Sequence, residues 1–193
     1  GIGGSELGTK TLYHAFNSCL SSTKDAKFIA SVDPLGFRKV LQPLSLEETL
    51  FVIVSKSGST VEIQENSEQL HAYVDSRGIS WEAFQKQIVV ITCPNSALDQ
   101  SDLGHHRLYM TDSIGGRFSV TSPVGTFLLS CCFGKTTVSE FLTGAHELDH
   151  SATQVSLQKN PALIAALISY WERVFLGYST QAIIAYSHAL SIL

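Results

Sequence analysis

The sequence predicts an α/β fold, a mainly parallel sheet flanked by helices, and three observations carry that expectation. Short apolar runs alternate with longer stretches of helical pattern, as strand–helix–strand units require. The centres of these runs are apolar without polar alternation, which suits strands covered on both faces. Loops rich in glycine and serine follow directly where a run ends and a helix begins.

The predicted strands are 28–32, 50–54, 87–92, 107–110 and 181–186. Residues 1–5, Gly-Ile-Gly-Gly-Ser, read as a turn from a strand into a helix, with the feeding strand outside the sequence. Ser59-Thr60-Val61-Glu62 has the S-x-x-E spacing of a capping box, and Gly78 stands where that helix should stop. Ser122 precedes Pro123, a good first-turn proline, and Gly134 can end the helix. Thr137-x-x-Glu140 offers a further capping box, and Asn160-Pro161 opens a long helix that closes at Gly177. The whole, 1–193, reads as a single domain cropped from a longer chain. Residues 1–134 form its α/β core, and 135–193 hold the following helices and the last strand.

Composition narrows the function classes. Of 193 residues, 44% are apolar and 16% charged, which excludes a disordered chain. Thirteen basic against 17 acidic residues give a net charge of −4, so a nucleic-acid partner is not expected. No apolar run reaches the ~20 residues of a membrane span. The most apolar stretch, 162–169, runs into Trp171, Glu172 and Arg173 and reads as a buried helix. Cys19, Cys93, Cys131 and Cys132 lack C-x-x-C spacing, which points to reduced core thiols in a cytosolic protein. No metal is expected: His105 and His106 are adjacent on a loop, and His146 and His150 share a helix face without a third ligand.

Three segments bear chemistry. Residues 1–8, Gly-Ile-Gly-Gly-Ser-Glu-Leu-Gly, let the backbone approach an anion at a helix N-terminus, or form a tight turn that needs glycine for its dihedrals. The spacing is not G-x-G-x-x-G, because Glu6 occupies the last position. The second segment, Ser55-Lys56-Ser57-Gly58-Ser59-Thr60, follows a strand and precedes a helix. Ligands of open parallel sheets bind at the carboxyl ends of strands. Five of the six side chains there are hydrogen-bond donors, so the loop suits a phosphate monoester. A helix cap explains one hydroxyl and leaves the other three. The third segment, residues 112–119, places Gly115 and Gly116 before Arg117 at another strand end. An arginine there suits a phosphate or a developing oxyanion, or is a surface residue of an ordinary turn. Asp33 stands where a dinucleotide fold places its ribose-binding acid, and equally where a turn aspartate precedes Pro34.

Taken together, these segments resemble the glucose-6-phosphate isomerase family, also called phosphoglucose isomerase. Residues 1–5 resemble its first glycine motif, and 55–60 its phosphate loop. Residues 112–125, DSIGGRFSVTSPVG, fit the family signature around the arginine without a mismatch. Asn160-Pro161-Ala162-Leu163 resembles the helix that follows. The resemblance implies an SIS (sugar isomerase) domain, an αβα three-layer sandwich, interconverting glucose 6-phosphate and fructose 6-phosphate through an enediolate in glycolysis and gluconeogenesis. It implies that Ser55, Ser57 and Thr60 hold the sugar phosphate, with Lys56, Gly58 and Ser59 in the same loop. Gly4 and Ser5 then line the substrate site, and Arg117 stabilises the enediolate. It implies no cofactor, a cytoplasmic location and a homodimer for the complete protein. The family's catalytic base is a glutamate in an ESNGK-like motif, which does not occur within these residues, so the 193-residue chain is expected to lack turnover. A non-catalytic SIS module that binds a phosphosugar is the alternative. A dinucleotide-binding domain is a third reading and leaves loop 55–60 without a task.

Overall fold

The computed structural model describes residues 1–190. Its centre is the most apolar of the sequence runs. Strands β1 (Phe51–Val54), β2 (Ile88–Thr92) and β3 (His106–Tyr109) form a parallel sheet in the order β1-β2-β3. Val52 pairs with Val89, and Ile91 with Leu108. All five residues of β2 are buried, because it has a strand on each side and helices on both faces.

Strand alternation divides the core into two. Ile88 and Val90 face α2 (Pro34–Leu41), α3 (Val61–Ser76) and α4 (Trp81–Phe84), meeting Phe37, Leu41, Leu70, Val74 and Phe84. Val89 and Ile91 face the other way, toward Val124 and Phe127 of α5 (Pro123–Ala152). Helix α1 (Leu7–Cys19) lies on α5 through Tyr13, Leu129, Cys132 and Val138. Helix α6 (Pro161–Val174) follows. The result is the predicted layering, helices on both faces of a parallel sheet.

Helix ends follow local chemistry where a side chain reaches a free N–H. Ser122 Oγ accepts from Val124 N–H at 3.3 Å, and Asn160 Oδ1 accepts from Leu163 N–H at 2.8 Å. Gly78 takes φ +71° just past α3, as anticipated for a helix stop. Gly134 takes φ +85° and ψ 162°, non-helical values that end one helix as anticipated, so α5 is two helices that meet at a kink.

Several expectations are corrected. Residues 28–32 and 181–186 form no strand, although their side chains suit one. Strand formation depends on cross-strand partners more than on composition, and neither segment has a paired neighbour among the described residues. Ile183, Ile184 and Tyr186 are exposed. The capping box at Ser59 does not form: Thr60 is the N-cap of α3, and Ser59 Oγ donates to Ser57 Oγ at 2.9 Å. Thr137 lies inside α5, its hydroxyl donating to the Phe133 carbonyl at 3.1 Å. The stretch 162–169 is helical but not buried, and α6 has no buried residue. Of the cysteines, Cys93 and Cys132 are core residues, whereas Cys19 and Cys131 are exposed.

Candidate functional site

A parallel sheet places the carboxyl ends of all its strands on one edge, where the expected segments meet. Loop 55–60 leaves β1, and the Arg117 loop follows β3. With β2 between them and strands spaced about 4.8 Å apart, the two loops begin roughly 10 Å from each other. Lys56 spans the gap. Its Nζ lies 3.2 Å from Asp112 Oδ1 and donates to the Asp112 carbonyl. Asp112 is almost fully exposed and Lys56 half-buried, so solvent screens the pair and it orients the loops more than it stabilises them.

Loop 55–60 is organised by its own hydroxyls. Buried Ser55 accepts through Oγ from Gly58 N–H at 3.0 Å and lies 3.4 Å from Thr60 Oγ1. Ser57 Oγ accepts from Ser59 N–H at 3.2 Å. Gly58 sits at φ +71°, and a Cβ there would fall 2.2 Å from the Leu98 nitrogen, so no other residue fits without moving backbone. Thr60 caps α3 without a side-chain hydrogen bond. The first N–H groups of a 16-residue helix, with its positive dipole end, therefore open onto the loop, an arrangement that favours an anion.

The glycine motif supplies the third side. Residues Gly3–Ser5 make a single 3-10 turn, which presses Gly4 against the Arg117 loop. A Cβ on Gly4 would lie 2.1 Å from the Gly116 carbonyl carbon and 2.4 Å from the Arg117 nitrogen. Ser119 ties the same elements, donating to the Gly116 carbonyl at 2.6 Å and lying 3.3 Å from the Gly4 carbonyl oxygen. Arg117 itself is exposed, its guanidinium carbon 5.3 Å from the Phe118 ring centre. It joins no ion pair among the described residues. Its charge is thus open to a ligand at this edge.

The loop after β2 was missed by motif reading, since it carries no motif. Cys93 N–H donates to the Lys56 carbonyl at 3.3 Å, and Ala97 N–H to the Ser57 carbonyl at 3.1 Å, so residues 93–98 brace loop 55–60 from beneath. Burial pushes the Cys93 thiol up, Asp112 adds to the effect, and Lys56 opposes it. The available signal was positional: the middle strand of a parallel sheet must end on the same edge. Asp33 is resolved toward the turn reading, capping α2 by accepting from Leu35 N–H at 3.2 Å and Gly36 N–H at 3.0 Å. No cluster of three or more metal-ligating side chains exists among the described residues.

A parallel α/β sheet with loops from β1 and β3, and a glycine turn, gathered at its carboxyl edge defines the class of open-sheet ligand-binding domains. The sequence profile of the phosphoglucose isomerase family matches residues 1–193, and the chain belongs to that family. It is 43% identical over 195 residues to the glucose-6-phosphate isomerase of Borreliella afzelii, covering 98% of this chain and 36% of that protein. It is 42% identical over 190 residues to the corresponding protein of Protochlamydia amoebophila, covering 98% of this chain and 35% of that one. A crystal structure of a glucose-6-phosphate isomerase from Chlamydia trachomatis superimposes with a TM-score of 0.92 at 38% identity, over 99% of this chain and 36% of the other. A hypothetical protein from Thermus thermophilus gives 0.77 at 30% identity, over 90% and 40%. The chain thus spans a little over a third of the length of the curated relatives it matches. No helix among the described residues is long and apolar enough to cross a membrane.

Proposed function

We propose that the chain is the phosphosugar-binding part of a glucose-6-phosphate isomerase. Ser55, Ser57 and Thr60 hold the sugar phosphate with the N–H groups opening α3, aided by Lys56, Gly58 and Ser59. Gly4 and Ser5 line the sugar, and Arg117 stabilises negative charge on the enediolate. The observation that carries this reading is the bridging of loop 55–60 and the Arg117 loop by Lys56 and Asp112 at one sheet edge, with the exposed Arg117 guanidinium in no ion pair among the described residues.

The chemistry divides accordingly. Isomerisation moves a proton between C1 and C2, which needs a base as well as charge stabilisation. Arg117 offers a fork of hydrogen-bond donors and not a base; it stabilises the intermediate once the proton has left. The longer protein supplies the base, and with it the glycolytic and gluconeogenic reaction; a cytoplasmic homodimer is the form the resemblance implies for it.

Two measurements test this. Titrating the chain with glucose 6-phosphate should shift the amide signals of residues 55–60, and Ser57→Ala should weaken the response; unmoved signals at saturation would remove the phosphate site. In the complete enzyme, Arg117→Lys should lower kcat about 10²–10³-fold with KM little changed, the mark of a group acting in the transition state. A normal kcat with a raised KM would make Arg117 a binding residue only.

A further inference from the structure

The loop joining β2 to β3, residues 93–105, supplies no group to the proposed substrate site, yet it is gathered around one side chain. Arg107, on β3, turns its guanidinium back into this loop. Its Nε donates to the Asp99 carbonyl at 3.0 Å and one terminal nitrogen to the Gly104 carbonyl at 2.6 Å. The other terminal nitrogen donates to the Ser101 carbonyl. Nε also lies 3.5 Å from Asp99 Oδ1. The planar fork of a guanidinium suits three carbonyls set around it, whereas an ammonium is a point charge.

Asp99 extends the clasp. Its Oδ1 accepts from the Tyr109 hydroxyl at 3.0 Å and its Oδ2 from Asn95 N–H at 2.8 Å. Arg107 and Tyr109 stand two residues apart on β3, so they share a face of the sheet and reach the same carboxylate. Asn95 is held at φ +61°, a left-handed conformation that a non-glycine residue keeps where its surroundings impose it. The side chains of Arg107 and Asp99 are 21% and 17% exposed, so solvent screens this pair less than it screens Lys56 and Asp112.

The far side of the clasp is loop 55–60. Asp99 N–H donates to Ser96 Oγ at 3.1 Å, and Ser96 Oγ lies 2.7 Å from Thr92 Oγ1, which donates to the Lys56 carbonyl at 3.3 Å. Between Ser96 and Asp99 lie Ala97, which donates to the Ser57 carbonyl, and Leu98, whose backbone takes the place a side chain on Gly58 would need. The positions of Ser57 and Gly58 therefore follow those of residues 96–99.

We propose that Arg107 and Asp99 are positioning residues for the phosphate loop: their clasp fixes residues 95–101, which hold Ser57 and Gly58 where hydroxyl and N–H meet the sugar phosphate. This role rests on the phosphate site proposed for loop 55–60. The phosphate group takes no part in moving a proton between C1 and C2. Contacts to it are alike in ground and transition states, so loss of the clasp acts on binding and spares the chemical step.

The test is made in the complete enzyme with Arg107→Gln, Arg107→Lys and Asp99→Asn, reading kcat, KM for glucose 6-phosphate and competitive inhibition by inorganic phosphate. Arg107→Gln should raise KM and the phosphate inhibition constant together by about tenfold, the equivalent of one charge-assisted hydrogen bond, with kcat held. Arg107→Lys should recover only part of this, since it restores the charge and not the fork. Asp99→Asn separates geometry from charge: loss of the clasp raises KM, whereas removing a negative charge near an anion site would lower it. These two variants keep the size of the clasp residues, so they answer even where Arg107→Gln fails to fold. Amide exchange at Ala97 in the ligand-free protein should quicken in every variant that raises KM. Unchanged KM in all three variants, full rescue by lysine, or a lowered KM in Asp99→Asn would overturn the proposal. So would a fall in kcat with KM held, the mark of fewer folded molecules. A wild-type enzyme that inorganic phosphate fails to inhibit would strike the phosphate site itself, and the proposal with it, before any variant is made.

Discussion

Helix α3 buries Ile63, Ser67, Leu70 and Val74, whereas α6, the more apolar of the two, buries none of its residues. Leu163, Ile164, Leu167, Ile168, Trp171 and Val174 all lie exposed on α6. The difference is in neighbours. α3 connects two strands of the sheet and is held against its face, where Leu70 and Val74 meet Ile88 and Val90. α6 is fixed chiefly at its start, where buried Asn160 caps it and also donates to the carbonyls of Ala152 and Gln154 at 3.0 and 2.8 Å. An apolar face records that a helix can be buried; only an adjacent surface buries it.

The contrast is sharpest in core truncation. Leu70→Ala should destabilise the chain by about 2–5 kcal/mol, because it removes a buried core side chain and its packing against α2 and β2. Leu167→Ala, chemically the same change, should stay within about 0.5 kcal/mol. Denaturant melts of both variants check this, and equal losses would mean that α6 is covered in solution.

A smaller effect is expected at the tether. Asn160→Ala removes the cap of α6 and its link to the end of α5, and should cost about 0.5–2 kcal/mol. Limited proteolysis should then cut within 153–160 sooner. A stable, uncut variant would mean that α6 is held by its apolar face after all.

Helix α1 stands between the extremes, packed on α5 and tied by the hydroxyls of Thr9 and Tyr13. Tyr13 donates to Asp25 Oδ1 at 3.1 Å and accepts from Ala26 N–H at 3.1 Å. Tyr13→Phe should cost about 0.5–1.5 kcal/mol. Burial first, and Asp25 as well, hold the phenol above its usual range, although the Ala26 N–H opposes them. The neutral form is thus favoured by folding. This contribution is fully present below the ordinary tyrosine value of about 10 and is lost as pH rises through the higher folded value. The Phe variant should lack that alkaline loss, as melting temperatures across the range would show.

Much of this architecture was legible because it is local or periodic. β2 announced itself as Ile-Val-Val-Ile, apolar on both faces, and the caps at Ser122 and Asn160 are short-range chemistry between a side chain and an N–H two or three residues on. Loop 55–60 was legible as a set of donors, but its internal wiring was not: Ser59 bonds Ser57 rather than capping α3. That choice depends on the turn Gly58 makes against Leu98, a residue forty positions away.

Residue types, spacing and periodicity therefore determined the layers, the strand-end loops and the identity of the residues that could bind an anion. The tertiary structure alone decided which apolar segments are buried and which loops touch. Residues 28–32 have strand chemistry but no strand neighbour, α6 has core chemistry but no core against it, and Gly4 meets Gly116 only through the fold. Local sequence sets what a segment can do with its own nearest atoms. Pairing, burial and long-range approach depend on a second surface, which local sequence does not specify.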